Sequence, residues 1–225
     1  MKNWVRANKG FLAFLMLFGV FRTAVADWNP IPSASMHPNL LEGDVVFVNR
    51  LAYNVKVPLT DIVISPTGEP QRGDIVTFSS PANGTRLIKR IVALPGDQVE
   101  MRNEKLIING QPVSYATLGN STESIRGLGP LAAVQVNERL GERQHAIQLM
   151  PQLQARRDFA PLTVPAGQYM MLGDNRDNSE DSRYIGMVPR ALLIGRAERV
   201  LASADITSNW MPRTERFGMS LYPKE

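Results

Sequence analysis

Serine and lysine are the residue types in this chain that could together support nucleophilic catalysis. Ser35 lies in the stretch IPSASMHPNL, where Pro32 and Pro38 favour an extended backbone and could present one hydroxyl rigidly. The same stretch also fits an ordinary Pro/Ser linker. A serine acts as a nucleophile only when a neighbouring base accepts its proton, so the sequence must supply a base as well.

The histidines are poor candidates for that base. His37 is two residues from Ser35, but a histidine that activates a serine normally approaches from a different part of the chain. We therefore predict that His37 is a surface residue, and His145 has no motif around it. The absence of cysteine excludes a thiol nucleophile, a disulfide framework and every cysteine-based zinc or iron–sulfur site.

Among the six lysines, Lys89 is the best candidate for the base. Period-two alternation along its strand places Lys89 on the same apolar face as Leu87 and Ile91, whereas Lys56 and Lys105 are predicted to be exposed. Free lysine has a pKa near 10.4, and burial can lower that pKa by up to about 3–5 units. A buried lysine can therefore be a base at neutral pH. A lysine that snorkels at a sheet edge is the alternative.

A second polar stretch, GDNRDNSEDSR at 173–183, fits a calcium loop, a polar turn or an orienting network. The calcium loop is excluded because, counted from the first aspartate, Arg176 stands at the third position, where an oxygen ligand is needed. As a network, Ser179 could donate a hydrogen bond and Asp181 could pair with Arg183. We predict no metal site.

The rest of the chain after Trp28 is predicted to be β-structure. Its apolar runs are short, rich in β-branched residues and separated by Gly-Asp and Asn-Gly turn signals. The runs lie at 45–48, 75–78, 87–94, 106–108, 169–172 and 194–201. Residues 114–160 show weaker patterns and are predicted to belong to an inserted β subdomain.

The positive charge of the chain is confined to its N-terminus. The 225 residues carry a formal net charge of +4, but residues 1–26 contain four basic residues and no Asp or Glu, so the remainder is formally neutral. Domains that bind nucleic acid are normally basic themselves, and we therefore predict no nucleic-acid partner.

The basic N-terminus leads into an uncharged apolar segment, GFLAFLMLFGVF at 10–21. This segment fits a cleavable secretory signal with AVA at 24–26 before the cut, or a transmembrane helix that continues to about Asp27. In the second interpretation Arg22 snorkels and Trp28 lies in the interfacial aromatic belt. Composition alone slightly favours the cleaved signal, and both interpretations place the remaining residues outside the cytoplasm.

Three motifs in this order resemble those of the bacterial type I signal peptidases. They are PSASM at 32–36, KRIVALPGD at 89–97 and GDNRDNSEDSR at 173–183, with further similarity in RGDIVTF at 72–78 and VPAGQYMMLGDN at 164–175. The resemblance covers most of the chain and is weakest over about 114–160. It implies a membrane-bound serine protease that removes signal peptides from exported preproteins, with Ser35 as nucleophile and Lys89 as base.

The resemblance also implies roles for residues around this dyad. Ser33 would form the oxyanion hole together with the Ser35 backbone N–H, and Ser179 would orient the lysine. Asp181 and Arg183 would form a structural ion pair near the site. Shallow apolar pockets for small substrate residues, typically Ala at positions −1 and −3, would be built from Ile31, Met36, Leu40, Leu87 and Ile88.

The fold that the resemblance implies is mainly β, with an antiparallel β-sheet catalytic core, an inserted β subdomain and one N-terminal transmembrane helix. In the family the segment before the serine motif is a retained anchor, so retention is now favoured over cleavage. The implied enzyme is a monomer without a cofactor, anchored once in the bacterial inner (cytoplasmic) membrane with its catalytic domain on the outer, periplasmic face. Its partners would be membrane lipid and preprotein signal peptides. The corresponding boundaries are 1–9 for a cytoplasmic N-terminus, 10–27 for the anchor, 28–97 and 163–225 for the core, and 98–162 for the inserted subdomain.

Two features depart from the family pattern. Ala34 stands where glycine is usual, so its methyl group could narrow the approach to Ser35 or shift specificity. Only one hydrophobic segment is present, whereas some members have two. Two further interpretations stay open: a specialised peptidase of the same family with few substrates, and an inactive, membrane-tethered binding module that keeps the fold.

Overall fold

The computed structural model describes residues 2–57, 60, 62–125 and 127–222, and β-strands dominate its secondary structure. The helices are α1 (Lys2–Ala7), α2 (Lys9–Ala24) and α3 (Ser182–Ile185), with 3-10 turns at Ala34–Met36, Arg50–Ala52, Arg190–Leu192 and Thr214–Arg216. The strands are β1 (Ala26–Pro30), β2 (Asp44–Asn49), β3 (Asn54–Lys56), β4 (Val63–Pro66), β5 (Ile75–Ser79), β6 (Arg86–Ala93), β7 (Gln98–Arg102), β8 (Lys105–Ile108), β9 (Gln111–Pro112), β10 (Ser114–Ile125), β11 (Gly129–Leu140), β12 (Arg143–Leu149), β13 (Phe159–Thr163), β14 (Gln168–Leu172), β15 (Val188–Pro189) and β16 (Leu193–Ser203). This arrangement confirms the prediction of a mainly β fold.

The largest sheet joins strands from both halves of the chain. It has seven strands in the order β1-β2-β16-β5-β6-β14-β15, and every neighbouring pair is antiparallel. The strands between residues 98 and 163 form two smaller sheets, β10-β11-β12 and β13-β7-β8-β9, in the region where the inserted subdomain is predicted. Strands β3 and β4 form a separate pair.

Both faces of the large sheet are buried, which explains why its central strands are apolar rather than alternating. One face packs a cluster that includes Met36, Leu40, Val46, Ile75 and Val200. The other packs a cluster that includes Tyr53, Val76, Phe78, Ile91 and Met171. Strand β6 pairs with β5 on one side and β14 on the other, so its side chains are fixed at the centre of this core.

The N-terminal helix is shorter than the predicted transmembrane span. Helix α2 ends at Ala24, and Ala26 already begins β1, so Asp27 lies in the sheet and not in the helix. The Asp27 carboxylate contacts the guanidinium groups of Arg22 and Arg86 at 3.2 and 3.1 Å, which stabilises its charge at this buried position. Among the described residues, no helix combines the length and the apolar character needed to cross a membrane.

Candidate active site

Ser35 and Lys89 are brought together from distant parts of the chain. Ser35 lies on the 3-10 turn between β1 and β2, and Lys89 lies on β6. The Lys89 Nζ donates hydrogen bonds to the Ser35 Oγ at 2.8 Å and to the Ile88 carbonyl oxygen at 2.9 Å. Both side chains are largely removed from water, with Lys89 3% and Ser35 9% exposed. Alternation along β6 therefore correctly predicted that this lysine is buried.

The loop that carries Ser35 is held by backbone hydrogen bonds. The Ile31 N–H donates to the Asp44 carbonyl oxygen at 2.8 Å, which ties the start of the loop to β2. From the second polar stretch, Asn175 donates its backbone N–H to the Ser35 carbonyl oxygen at 3.2 Å and its side-chain amide to the Ala34 carbonyl oxygen at 3.1 Å. The sequence did not predict this role of Asn175, because a contact to a backbone carbonyl leaves no residue pattern.

The surroundings of Lys89 lower its pKa and so increase the fraction of the amine that is neutral. Burial lowers the pKa of Lys89 to about 8, and the carboxylates of Asp181, Asp174 and Glu180 oppose that shift only in part. At pH 7 roughly a tenth of the side chains then carry a neutral amine, compared with fewer than about one in a thousand for free lysine. A neutral amine can accept the proton of a serine hydroxyl, whereas an ammonium group cannot.

Ser33 and Ser179 both lie beside the dyad, but only Ser33 bonds to it. The Ser33 Oγ lies 3.4 Å from the Ser35 Oγ, on the solvent-exposed side of the site. The Ser179 Oγ is buried and has no hydrogen-bond partner in the described part of the chain, so no hydrogen bond joins it to Lys89.

A Cβ at Gly173 would lie 2.2 Å from the Ser179 Oγ and 2.5 Å from the Ser35 carbonyl oxygen, so this close approach requires glycine.

The predicted pair of Asp181 and Arg183 is present and buried. The Arg183 Nε and Nη2 each donate to an Asp181 carboxylate oxygen at 2.8 Å. The same carboxylate accepts the backbone N–H of Gly173 at 3.1 Å. The pair therefore links α3 to the turn that lies against the Ser35 loop.

An apolar cleft adjoins the dyad and contains three of the five predicted pocket residues. The cleft has a volume of about 240 Å³, and Ile31, Leu87 and Ile88 are among its lining residues. Leu87 also lines the cavity, again of about 240 Å³, that holds Ser35 and Lys89. Leu87 is therefore a wall that the apolar cleft and the dyad cavity share.

Met36 and Leu40 differ from the prediction because they belong to the core. Both side chains are 0% exposed and pack in one cluster with Ile31, so they support the cleft from beneath instead of lining it. Ala34, in contrast, lines the dyad cavity. Its methyl group is thus placed where it affects the shape of the site.

A buried ionic network lies directly behind the dyad, and the sequence did not predict it. The Arg90 Nε and Nη2 donate to the two Asp174 carboxylate oxygens at 2.8 and 2.7 Å. His145 lies 3.1 Å from the Glu138 carboxylate, which also pairs with Arg176. The residues of this ionic network come from β6, β11, β12 and the second polar stretch, so no local sequence pattern indicates the network. Within the described ranges, no group of His, Asp or Glu side chains could hold a metal ion.

Two residues predicted to be exposed are buried. His37 is 8% exposed because Glu42 and Glu123 enclose its imidazole, and Lys56 is buried with its Nζ 3.4 Å from the Ala191 carbonyl oxygen. In both cases residues far along the chain cover the side chain, which local alternation cannot reveal. Lys105 is exposed as predicted.

The sequence as a whole is similar to known signal peptidases. Residues 1–202 match the family model described as signal peptidase, peptidase S26. Signal peptidase I from Pseudomonas aeruginosa is 36% identical over 228 aligned residues, covering 96% of this chain and 78% of that protein. Signal peptidase I from Pseudomonas fluorescens is also 36% identical, with the same coverage. A solved signal peptidase I from Enterococcus faecalis V583 aligns with 57% of this chain and 96% of its own, at 36% identity and a TM-score of 0.35. The chain therefore belongs to the signal peptidase family, peptidase S26, and is a hydrolase of that family.

Proposed function

We propose that this chain is a membrane-bound serine endopeptidase that cleaves signal peptides from exported preproteins after small residues, with Ser35 and Lys89 as its catalytic dyad. The observation that carries the proposal is the 2.8 Å contact between Lys89 Nζ and Ser35 Oγ. Burial lowers the pKa of this lysine to about 8, so a base is available without histidine. The membership of the signal peptidase family supports the substrate class.

The first half of the reaction forms an acyl-enzyme. In its neutral form the Lys89 amine accepts the Ser35 proton while the Ser35 Oγ attacks the carbonyl carbon of the residue before the cut. The resulting oxyanion accepts hydrogen bonds from the Ser35 backbone N–H and the Ser33 hydroxyl, which lies 3.4 Å from the nucleophile. When the peptide bond breaks, the Lys89 ammonium returns the proton to the leaving amine of the mature protein.

The second half releases the signal peptide. The neutral Lys89 amine takes a proton from a water molecule, and the resulting hydroxide attacks the ester carbonyl of the acyl-enzyme. The ester bond breaks, the signal peptide leaves with a new carboxylate, and the proton returns to Ser35. Ser179, Asp181 and Arg183 position this machinery through the turn around Gly173 and touch no reacting atom.

The cleft favours small apolar residues before the cut. It is bounded by Ile31, Leu87 and Ile88 and adjoins the cavity that Ala34 narrows. A wide, deep pocket would be needed to accept a large side chain at position −1. We propose Ala at −1 and −3 as the preferred substrate pattern.

In this proposal the anchor is the apolar segment predicted at 10–27, and α2 (Lys9–Ala24) forms most of it. Most of its large apolar side chains are exposed, including Phe14, Met16 and Leu17. Basic residues precede this segment and no acidic residue does, which is typical of the cytoplasmic side. The catalytic domain then lies on the outer face of the bacterial inner membrane, where a monomer meets preproteins as they emerge.

The catalytic proposal is tested with purified protein and a precursor that carries an Ala-X-Ala site. The wild type is expected to release the mature product, whereas Ser35→Ala and Lys89→Ala should not. Ser65→Ala and Lys105→Ala are matched controls at exposed positions and should cleave like the wild type. The proposal fails if wild type and Ser35→Ala give the same products, or if Lys89→Ala keeps full activity at neutral pH.

The anchor is tested separately by N-terminal sequencing of the protein from cells. A protein that starts at the initial methionine or the next residue and sediments with membranes supports a retained anchor. A start at Asp27 would show that the segment is a cleaved signal.

A further inference from the structure

His37 joins the Ser35 loop to a strand of the inserted region. Its backbone N–H donates to the Ala34 carbonyl oxygen at 3.0 Å and closes the 3-10 turn that carries Ser35. Its imidazole Nδ1 lies 3.0 Å from the carboxylate of Glu123 on β10, and its Nε2 lies 2.7 Å from the carboxylate of Glu42. The imidazole thus lies between two carboxylates, one of them 86 residues away along the chain.

Glu123 is itself fixed from the opposite side. It accepts a hydrogen bond at 3.0 Å from the side-chain amide of Gln148 on β12. The backbone of Gln148 exchanges hydrogen bonds with the second polar stretch, donating to the Asp174 carbonyl oxygen at 2.8 Å and accepting from the Arg176 N–H at 2.9 Å. The Glu123 carboxylate that contacts His37 is therefore held in place by β12 and the second polar stretch.

The charges around His37 hold it in the protonated form. Burial by itself lowers the pKa of His37, but the hydrogen bonds and charges of Glu123 and Glu42 outweigh burial and raise it to about 9. His37 and Arg213 both line a cavity of about 480 Å³, and the Arg213 guanidinium pairs with Asp205 at 3.1 Å. At neutral pH the imidazolium therefore bridges two carboxylates.

We propose that His37 is a positioning residue, which holds the Ser35 loop in register with Lys89 by tying it to β10 through Glu123. His37 touches neither the serine hydroxyl nor the lysine amine, and it acts only through the loop. The inference rests on the proposed function, because its consequence is measured as peptide cleavage. Small displacements of a nucleophile cost much more in rate than in binding, so the effect is expected in kcat.

The first experiment compares Glu123→Gln and His37→Asn with the wild type on an Ala-X-Ala precursor. Each variant is expected to lower kcat about tenfold while KM stays within about twofold. The double variant should be no slower than the slower single variant, because both changes break one link. Glu142→Gln, which removes an exposed carboxylate from the β11–β12 turn, is the matched control and should match the wild type.

The second experiment measures the pH dependence of kcat and needs no variant that folds poorly. In the wild type kcat is expected to fall above pH about 9, as His37 loses its proton and the bridge weakens. In Glu123→Gln this fall should be smaller than in the wild type, because the link that protonated His37 makes to Glu123 is already broken. If His37 and Glu123 only stabilised the fold, the variant would change the melting temperature but would keep the wild-type fall in kcat above pH about 9.

The outcomes separate this inference from the proposed function. A wild-type protein that does not cleave the precursor removes the proposed function, and the inference with it. A wild type that cleaves, but whose kcat stays level to pH about 10.5, overturns the role of His37 alone. So do folded Glu123→Gln and His37→Asn variants that keep the wild-type kcat and pH profile.

Discussion

Lys89 and Arg90 are consecutive, basic and almost fully buried, at 3% and 4% exposure, yet their surroundings are opposite in kind. The Arg90 guanidinium is paired with the Asp174 carboxylate through two hydrogen bonds. The Lys89 amine contacts a hydroxyl and a carbonyl oxygen. Burial opposes the charge of both side chains, but only Arg90 has an adjacent carboxylate, and its pKa is raised whereas that of Lys89 is lowered.

The contrast shows how the pKa of a buried lysine can be lowered even beside acidic groups. The two carboxylates that act most strongly on Lys89 are those of Asp181 and Asp174, and each is paired directly with an arginine. Arg183 and Arg90 lie against these two carboxylates, and burial is the largest influence on the pKa of the lysine.

Replacing Lys89 with Met tests the chemical half of this comparison and has the largest expected effect. Removing a general base typically costs about 10²–10⁴ in rate, so kcat should fall by that factor. The melting temperature should not fall, because Met fills a similar volume without burying an amine. Cleavage kinetics and thermal unfolding check both points, with Lys105→Met as the exposed control. A variant that keeps kcat within threefold, or that melts well below the wild type, would contradict the assignment.

Replacing Arg90 with Met tests the structural half. The change leaves the Asp174 carboxylate buried without its guanidinium partner, and breaking such a pair typically costs about 3–5 kcal/mol. The free energy of unfolding, measured with urea, should fall by that amount. In Arg102→Met, where an exposed arginine loses its contact to Glu100, the loss should stay below about 1 kcal/mol. Equal stability of the two variants would mean that the pair behind the dyad does not hold the site.

Local patterns predicted those parts of the site that depend on one strand or one turn. Period-two alternation identified the buried lysine, and the spacing of Asp181 and Arg183 identified their pair. The predominance of β-strands also followed from short apolar runs between turn signals, whereas the antiparallel core was implied by the family resemblance. In each case the deciding contacts lie within a few residues of the chain or follow from the strand period.

Long-range packing decided the rest. His37 is buried because Glu123 reaches it from another sheet, and Met36 and Leu40 enter the core because strands from the second half of the chain cover them. The bidentate partner of Arg90 lies 84 residues away. None of these contacts alters the local residue pattern, so only the fold reveals them.

Glu180 has the smallest expected effect, because it acts on Lys89 through its charge alone. In the wild type, kcat should rise with pH through about 8, as the lysine loses its proton, and stay level until the fall above pH about 9 that is expected from His37. The Glu180 carboxylate raises the pKa of Lys89, so Glu180→Gln should move this acid limb to lower pH. The residue is exposed, and solvent therefore screens its field.

The displacement caused by Glu180→Gln should shrink further in about 1 M salt, where charges more than about 3 Å apart are largely screened. Glu142→Gln, another exposed carboxylate lost far from the dyad, should leave the limb in place. If the rise in kcat occurs at the same pH in Glu180→Gln as in the wild type, or at a higher pH, then Glu180 does not raise the pKa of the lysine. A downward shift that salt removes would show that the charge of Glu180 acts on Lys89 through solvent. Of the three carboxylates that act on Lys89, Glu180 is the one with no arginine partner among the described residues.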